Sequence, residues 1–263
     1  MITKKVEPDT RDGGTRIQSV SRAARVLLAV AANDEGLTVK EVASHFNLST
    51  PTAYHLLNTL VYEGLLHKDE RKHYSLGPRA SILSDAYNRR NVVPFNYGTA
   101  LRDLADETGE TAYLSAWRNG AISVLASVEG SHAVRVAGLT TGYTDNIHAR
   151  ASGKLLLAFA PPALRESLLQ NTVFTSVTPH TIVSRAALER ELEQIRAEDL
   201  ARDRQEFREG VECISAPIRE NGMVVACFTL SCPAERFTGR QEQITQALVR
   251  STQLVSETRQ ASA

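Results

Sequence analysis

The sequence predicts an α+β chain in two parts: a small helical unit with one β-hairpin, then a larger unit built on an antiparallel sheet. The 263 residues exceed the ~100–200 residues typical of one domain. Short helical patterns with capping and glycine stop signals come first, and Asn-Gly turns between alternating apolar runs follow. We therefore predict a disordered tail over 1–15, the helical unit over 16–77, a linker helix over 78–93 and the sheet domain over 94–260.

Composition excludes several classes of protein. With 42% hydrophobic and 23% charged residues, the chain has the composition of an ordinary globular protein. No apolar run approaches the ~18 residues needed to span a bilayer, and residues 1–15 lack the apolar core of a secretion signal. We expect a cytoplasmic protein with no membrane partner. The 30 basic and 30 acidic residues cancel, so net charge says little about nucleic-acid binding.

The cysteines predict neither a metal site nor a disulfide framework. Cys213, Cys227 and Cys232 form no Cys-x-x-Cys pair, and no cluster of His, Cys and Glu supports zinc. An odd number of cysteines in a cytoplasmic protein indicates free thiols. We expect no metal and no cofactor.

Three short helices are predicted in the first unit. Ile17–Ala32 has apolar residues at helical spacing and ends in a glycine-containing turn. Thr38 and Glu41 have the spacing of a capping box, which begins a helix of barely two turns. After a short break, a second helix over Thr50–Tyr62 ends before Gly64.

A hairpin completes this unit. Leu66 and the run Tyr74–Leu76 flank the charged turn Asp69–Lys72, which predicts two short strands with a basic tip. Three helices followed by a hairpin within about 60 residues is the winged helix-turn-helix arrangement. Residues 78–91 are predicted to form a connecting helix that Pro94 closes.

The second helix of the pair has two unlike sides. One side must pack on the other helices, whereas the opposite side is polar; the packing residues are Ala53, Leu56, Leu57 and Leu60. The alternative is the solvated face of an ordinary helical bundle. The capping box, the short break and the hairpin together favour binding of double-stranded DNA. The candidate contacts are Thr50, Thr52, Tyr54, His55, Asn58 and Thr59 on the helix, and Arg71 and Lys72 on the hairpin.

The rest of the chain mixes strands and helices. Asn119-Gly120 between two alternating apolar runs is a strong hairpin signal. The predicted elements are a helix at Tyr97–Glu107, strands at Thr111–Trp117, Ala121–Val128 and His132–Val136, helices at Ala151–Phe159, Ala163–Gln170 and Ala186–Leu200, strands at Glu212–Ile218 and Val224–Ser231, and a last helix from Gly239 to about Thr258.

In four segments, the chain resembles the IclR family of transcription regulators. The segments are Ser19–Ala23, Leu37–Ala43 continued by Tyr54–Leu60, His148–Ala158, and Glu206–Ile218. The resemblance implies a winged helix, a linker helix and a GAF-like effector domain, in a homodimer or tetramer on a palindromic operator. Family members repress or activate catabolic operons and sense small organic, aromatic or sugar acids. The chain departs from the family pattern at Thr50, Pro51 and His55, where a basic residue, a serine and an arginine are usual.

An effector site is predicted where Ala151–Lys154 begins a helix. Its small residues leave backbone N–H groups accessible, and a helix N-terminus attracts a carboxylate. The resemblance carries the family's effector contacts to Ala151, Ser152, Gly153, Asp203, Cys213, Thr229 and Ser231. Tyr113, Trp117 and Phe228 are candidates for an apolar wall.

Several of these residues also have plainer interpretations. Cys213 is equally typical of a small buried side chain, Asp203 of a solvated one, and Lys154 of one that faces outward or caps structure. His148 either holds a loop or binds a metal, and with Cys213 it could form a nucleophile and base. That cysteine has no activating signature, so an enzyme is disfavoured. A DNA-binding protein without a ligand remains an alternative, and the sequence does not distinguish repressor from activator.

Overall fold

The computed structural model describes residues 17–90, 93–136, 139–170 and 172–260. Its internal contacts divide the chain into two compact units, Met1–Val92 and Val93–Ala263. The tail predicted over 1–15 lies outside the described residues. Within the described part, no helix is both long enough and apolar enough to cross a membrane.

The first unit is the predicted winged helix-turn-helix. The capping box is present: the Thr38 backbone N–H donates to Glu41 Oε2 at 2.7 Å, and the Glu41 N–H donates to Thr38 Oγ1 at 3.4 Å. The elements are α1 (Gln18–Ala31), α2 (Val39–His45), α3 (Thr50–Tyr62), β1 (Leu66–Lys68), β2 (Tyr74–Leu76) and α4 (Ala80–Arg90).

A small apolar core fixes α3 in this unit. Leu57 on α3 and Tyr74 on β2 are both fully buried, together with Val26 of α1. Leu37 exchanges two backbone hydrogen bonds with Tyr74, which joins the segment before α2 to the hairpin. One side of α3 is therefore committed to the core, and its polar side is left for a partner.

The second unit contains the predicted antiparallel sheet. Its strand order is β4-β3-β7-β6-β5, with antiparallel neighbours throughout. The residue pairs Asn119-Gly120 and Asn221-Gly222 have positive φ angles, as a type I′ hairpin turn requires. The elements are α5 (Phe95–Thr108), β3 (Thr111–Arg118), β4 (Ala121–Val128), α6 (Ala151–Ala158), α7 (Pro162–Gln170), α8 (Arg185–Glu198), β5 (Ala201–Arg204), β6 (Val211–Glu220), β7 (Met223–Pro233) and α9 (Ala234–Gln260).

Both faces of this sheet are covered. α5 and α9 pack on one face and α6 and α8 lie over the other, each with its own apolar cluster. Because side chains alternate along a strand, β7 sends Phe228 and Leu230 to the first face and Cys227 and Thr229 to the second. The face under α6 is the polar one.

The strand predicted at His132–Val136 is wrong. This segment pairs with no strand in the described part of the chain, and side chains bond two of its carbonyls instead. Thr111 Oγ1 donates to the Val136 carbonyl at 2.9 Å, and Arg236 Nη2 donates to the Val134 carbonyl at 2.9 Å. Those side-chain bonds replace a sheet ladder, so alternation alone misidentified an irregular segment.

A missed strand and the start of the last helix also differ from the prediction. The edge strand β5 was missed because its alternating charges resemble a solvated stretch, although Ala201 and Asp203 point inward. The last helix begins at Ala234, five residues before Gly239. Ala234 donates its N–H to the Gly210 carbonyl at 2.9 Å, and Phe237 packs in the core. Gly239 faces open space and is tolerated inside the helix.

Candidate functional site

The outward side of α3 presents two exposed rings. Tyr54 is 44% exposed, and His55 next to it is also exposed. Lys68 on β1 lies beside them, with its Nζ 5.8 Å from the centre of the Tyr54 ring. The sequence analysis did not single out Lys68, because only the folded hairpin brings it to α3. Rings and a cation on one convex surface suit a nucleic-acid groove.

The other predicted contacts on α3 differ in how far their polar atoms are engaged. Thr52 Oγ1 bonds to Ser49 Oγ at 2.8 Å, and Thr59 Oγ1 donates to the His55 carbonyl at 2.8 Å. Asn58 Oδ1 accepts a long bond of 3.4 Å from the Tyr74 hydroxyl. These atoms stabilise the unit itself, whereas Thr50 is exposed at the first turn.

Arg71 and Lys72 are exposed at the tip of the hairpin, as predicted. Lys72 adopts a left-handed φ of 66°, which closes the turn. The Asp69 carboxylate accepts from the His73 backbone N–H at 2.7 Å and holds the base of that turn. The tip therefore presents two cations on a short, fixed loop.

In the second unit, four predicted effector contacts share one face of the sheet. Strand pairing places Asp203 opposite Cys213 and Cys213 opposite Ser231, which makes one row across three strands. The next row contains Thr229 opposite Tyr113. Side chains alternate between the two faces of β5, and this alternation places Asp203 on the same face as Cys213, Ser231 and Thr229.

The N-terminus of α6 closes a cavity over these rows. Lys154 donates the first backbone bond of the helix, to the Arg150 carbonyl at 3.0 Å, so the amides before it have no acceptor within the helix. The cavity measures about 20 Å³, room for roughly one water molecule. It is lined by Tyr113, Ser115, Val124, Leu139, Arg150, Ala151, Ser152, Asp203, Phe207, Cys213 and Thr229.

Five of the seven predicted effector residues line this cavity, and two do not. Gly153 packs against Ile147, where any Cβ would overlap the Ile147 carbonyl oxygen, so glycine is required there for close packing. Ser231 accepts from the Cys213 thiol at 3.2 Å outside the lining.

Two of the three proposed wall residues were misassigned. Phe228 faces the opposite side of the sheet, and Trp117 packs in the apolar cluster of α6 and α8. Tyr113 is in the wall, where its hydroxyl accepts from the Leu139 backbone N–H at 3.1 Å.

Two polar wall residues were missed by the sequence analysis. Ser115 lies on β3 at a β-bulge, and Arg150 directly precedes α6. In the sequence, Arg150 stands out only as an arginine before the mostly small or apolar residues of Ala151–Ala158. Nothing in the alternation of β3 distinguished Ser115 from its neighbours.

Asp203 is buried, not solvated. Its Oδ1 accepts from the backbone N–H groups of Glu206 at 2.7 Å and Phe207 at 3.1 Å, which shapes the turn after β5. Burial raises the pKa of this carboxyl to about 7, because two amide hydrogen bonds and the distant Lys154 only partly offset desolvation. The residue can therefore donate or accept near neutral pH.

Lys154 faces inward and has a structural role, so only the outward-facing alternative is wrong. Its Nζ lies 2.5 Å from Glu206 Oε1 and 3.3 Å from Glu191 Oε1, with no exposure to solvent. Burial raises the pKa of Glu206, although Lys154 opposes that shift. This ion cluster fixes α6 to α8 and to the turn after β5.

Cys213 and His148 show no sign of nucleophilic chemistry. Burial raises the pKa of the Cys213 thiol well above its usual value, which suppresses the reactive thiolate. His148 Nε2 lies 3.0 Å from the Thr175 carbonyl and its ring contacts Phe174, so it holds a loop. In the described part of the chain, no three His, Cys, Asp or Glu residues cluster as metal ligands would.

Comparison with known proteins agrees with both units. The family described as "Bacterial transcriptional regulator IclR C-terminal" matches residues 89–257, and the "IclR helix-turn-helix domain" matches residues 19–70. The chain belongs to the IclR family. IclR proteins are DNA-binding transcription regulators with an effector-binding domain, and they are not enzymes.

Relatives of this IclR chain are similar over nearly their whole length. The HTH-type transcriptional regulator Rv1719 of Mycobacterium tuberculosis is 32% identical over 92% of both chains. The crystal structure of Thermotoga maritima IclR is 28% identical, covers 92% of this chain and 98% of its own, and gives a TM-score of 0.69. An IclR homologue from Microbacterium hydrocarbonoxydans, complexed with 4-hydroxybenzoate, covers 91% and 98% with a TM-score of 0.67; its 21% identity shows the fold alone.

The raised pKa of Asp203 predicts a pH dependence of stability in this IclR protein. Between pH ~4 and ~7 the folded state holds a proton here that the unfolded state releases, so stability falls as pH rises. Asp203→Asn keeps an acceptor for both amides and should flatten that fall by up to ~1.4 kcal/mol per pH unit. Urea denaturation at several pH values measures it. Asp103→Asn, at an exposed site on α5, should keep the wild-type slope, and an equal effect of both variants would contradict the prediction.

The Lys154 cluster predicts a non-additive pair of substitutions. Lys154→Met leaves Glu206 buried without its cation and should cost about 3–5 kcal/mol of unfolding free energy. Lys154→Met combined with Glu206→Gln removes both charges and should cost less than the single change. Denaturant unfolding followed by circular dichroism compares them. A double variant less stable than the single variant would refute the buried-charge account.

Proposed function

We propose that this IclR protein is a repressor of a catabolic operon that binds a palindromic operator and responds to a small organic, aromatic or sugar acid. It acts in the cytoplasm as a homodimer or tetramer. The observation that carries the effector part is the enclosed cavity at the N-terminus of α6, which residues from all five strands of the sheet border and where several buried polar residues meet. A structural core has no need of so many buried polar groups in one place.

The DNA contact is proposed for the outward side of α3 and the hairpin tip. Tyr54 and His55 would meet base edges in the major groove, while Arg71 and Lys72 would neutralise phosphates. Thr50 and Thr59 are exposed on the same helix, and Thr52 and Asn58 support its conformation from within. Because His55 stands where the family usually has an arginine, the operator should differ from those of other members.

The effector contact is proposed for the unpaired amides of Ala151–Gly153 and the Ser152 hydroxyl, which would hold an acid group. Thr229 and Asp203 would then meet polar substituents of the ligand, and Cys213 would complete the wall. Gly153 would contribute only its N–H, because its α-carbon packs on Ile147.

Binding of any acid requires the cavity to open. Its ~20 Å³ hold about one water molecule, far less than an aromatic acid occupies. Leu139 and Phe207 are half-buried and lie in loops, so these side chains have to move aside. Movement of the segment that carries Leu139 is the proposed first step from ligand binding to the change in DNA affinity.

The experiment that tests the function is a gel-shift titration on DNA upstream of the protein's own gene, at fixed salt, with and without a panel of small acids. Specific binding weakened by one acid supports a repressor, and specific binding strengthened by one acid supports the activator alternative. Specific binding unaffected by a wide panel favours a DNA-binding protein without a ligand. Absence of specific binding at low salt overturns the proposal.

Tyr54→Ala should lower the ratio of specific to non-specific DNA affinity about tenfold, because an exposed ring at the centre of α3 is lost. Competition with unrelated DNA at fixed salt measures the ratio. Tyr62→Ala is the matched control, since Tyr62 ends the same helix and is 88% exposed. If both variants lower the ratio equally, Tyr54 does not read the operator.

Ser152→Leu should abolish the effector response and leave operator affinity within about twofold of wild type, because it fills the cavity in the other unit. Gel shifts with and without the active acid measure both properties. Ser167→Leu, on the exposed side of α7, should respond as wild type does. A normal response from Ser152→Leu would remove this residue from the site.

A further inference from the structure

Arg150 is buried in the cavity wall, and two of the three nitrogens of its guanidinium have no hydrogen-bond partner among the described residues. The residue is 2% exposed and directly precedes α6. Its Nη2 donates to the carbonyls of Ile122 at 3.4 Å and Thr144 at 3.3 Å, both at the long end for a hydrogen bond. Nε and Nη1 are buried without a partner in the structure. A guanidinium has five N–H donors, so most of its donor capacity is unmet.

The charge of Arg150 is also uncompensated. Among the described residues, no carboxylate forms an ion pair with it, whereas Lys154 one turn further along α6 contacts two. Asp145 and Asp203 act on it only from a distance. Burial lowers the pKa of the guanidinium, yet arginine stays protonated in proteins. A buried cation without an anion costs free energy that an incoming anion would recover.

A second unsatisfied donor lines the same cavity. Ser115 is fully buried on β3, and its Oγ has no partner in the structure. The register between β3 and β4 shifts between Leu114 and Ser115, which marks a bulge. Bulges commonly re-aim side chains at functional sites. Two unmet polar side chains from separate elements therefore border one small cavity.

We propose that Arg150 and Ser115 join the amides at the start of α6 in binding the single anionic group of the effector, and that the effector is a monocarboxylic acid with a hydroxyl group. This inference rests on the proposed function and names its ligand class. A carboxylate would accept charge-assisted bonds from Nε or Nη1 of Arg150 and a bond from the Ser115 hydroxyl. A neutral amide or ester can accept a hydrogen bond from the arginine but leaves its charge uncompensated, which a buried site disfavours.

The opposite wall selects the second substituent. Asp203 already accepts two backbone bonds through Oδ1, and it contributes a carboxyl group to the cavity wall. A second carboxylate on the ligand would be repelled by the ionised form of Asp203, whereas a hydroxyl would donate to it. Monocarboxylic hydroxy acids are therefore preferred over dicarboxylic acids of the same size.

The competing structural role for Arg150 makes a different prediction. The guanidinium lies 5.2 Å from the centre of the Tyr143 ring and ties two carbonyls together, so it could simply hold the segment before α6. In that case, loss of the Arg150 side chain lowers the stability of the fold and weakens the binding of acids and amides alike. Binding of an anion instead predicts a loss of selectivity between acid and amide.

The test measures thermal shifts and calorimetric affinities of the full-length protein at fixed ionic strength. The probes are 4-hydroxybenzoate, benzoate and lactate, each compared with its amide, and succinate as the dicarboxylate. Wild type should bind at least one acid ten or more times tighter than its amide. Arg150→Gln should reduce that ratio to about one. If the glutamine variant folds poorly, Arg150→Lys replaces it and should give an intermediate ratio. Ser115→Ala should weaken the acid about tenfold.

Arg190→Gln is the matched control, because Arg190 is exposed on α8 and the change removes the same charge. It should keep the wild-type ratio. Retained selectivity in both Arg150 variants, amides that bind wild type as tightly as acids, or no stabilisation by any acid would each overturn the inference. Failure of the regulator proposal is seen separately, as a lack of specific DNA binding by wild type without ligand.

Discussion

The complete burial of α6 is the constraint on which the effector domain depends. Every residue of Ala151–Ala158 is buried between the sheet and α8, so each polar group on or beside this helix must be satisfied inside the protein. Lys154 meets this requirement with Glu206 and Glu191. Gly153 lets the helix approach Ile147 closely, which brings its free amides and Arg150 over the polar rows of the sheet. The cavity follows from that placement.

The same constraint explains how a ligand could be coupled to DNA binding. An acid that enters at Arg150 has to displace Leu139 or Phe207, and the segment before α6 is held by the Arg150 side chain itself through Thr144. The acid would bind Nε or Nη1 while Nη2 keeps its bond to the Thr144 carbonyl, so ligand contact and loop position meet at the same guanidinium. The DNA-binding unit has its own core around Leu57, so it folds around α3 whatever the state of the cavity.

Much of the fold could be predicted because local signals coincide with it. Thr38 and Glu41 form their capping box, and both Asn-Gly pairs form type I′ turns, since these devices depend only on near neighbours. The prediction failed where tertiary contacts decide: Thr111 and Arg236 replace a ladder at His132–Val136, and charges disguised β5. Among the residues that line the cavity, Asp203, Cys213 and Thr229 were suggested by the family resemblance alone. Ser115 and Arg150 were missed because their importance lies in unmet bonds, which sequence does not show.

We propose above that the buried guanidinium of Arg150 binds the carboxylate of the effector. NMR of arginine-labelled full-length protein can observe that bond. The Nε–H resonance of Arg150 can be assigned by its absence from the Arg150→Lys spectrum. On saturation with the acid that stabilises the protein most, this resonance should move downfield, as expected for a new bond to a carboxylate, and the matching amide should leave it in place. An acid that binds while the Arg150 resonance stays unchanged would contradict the account.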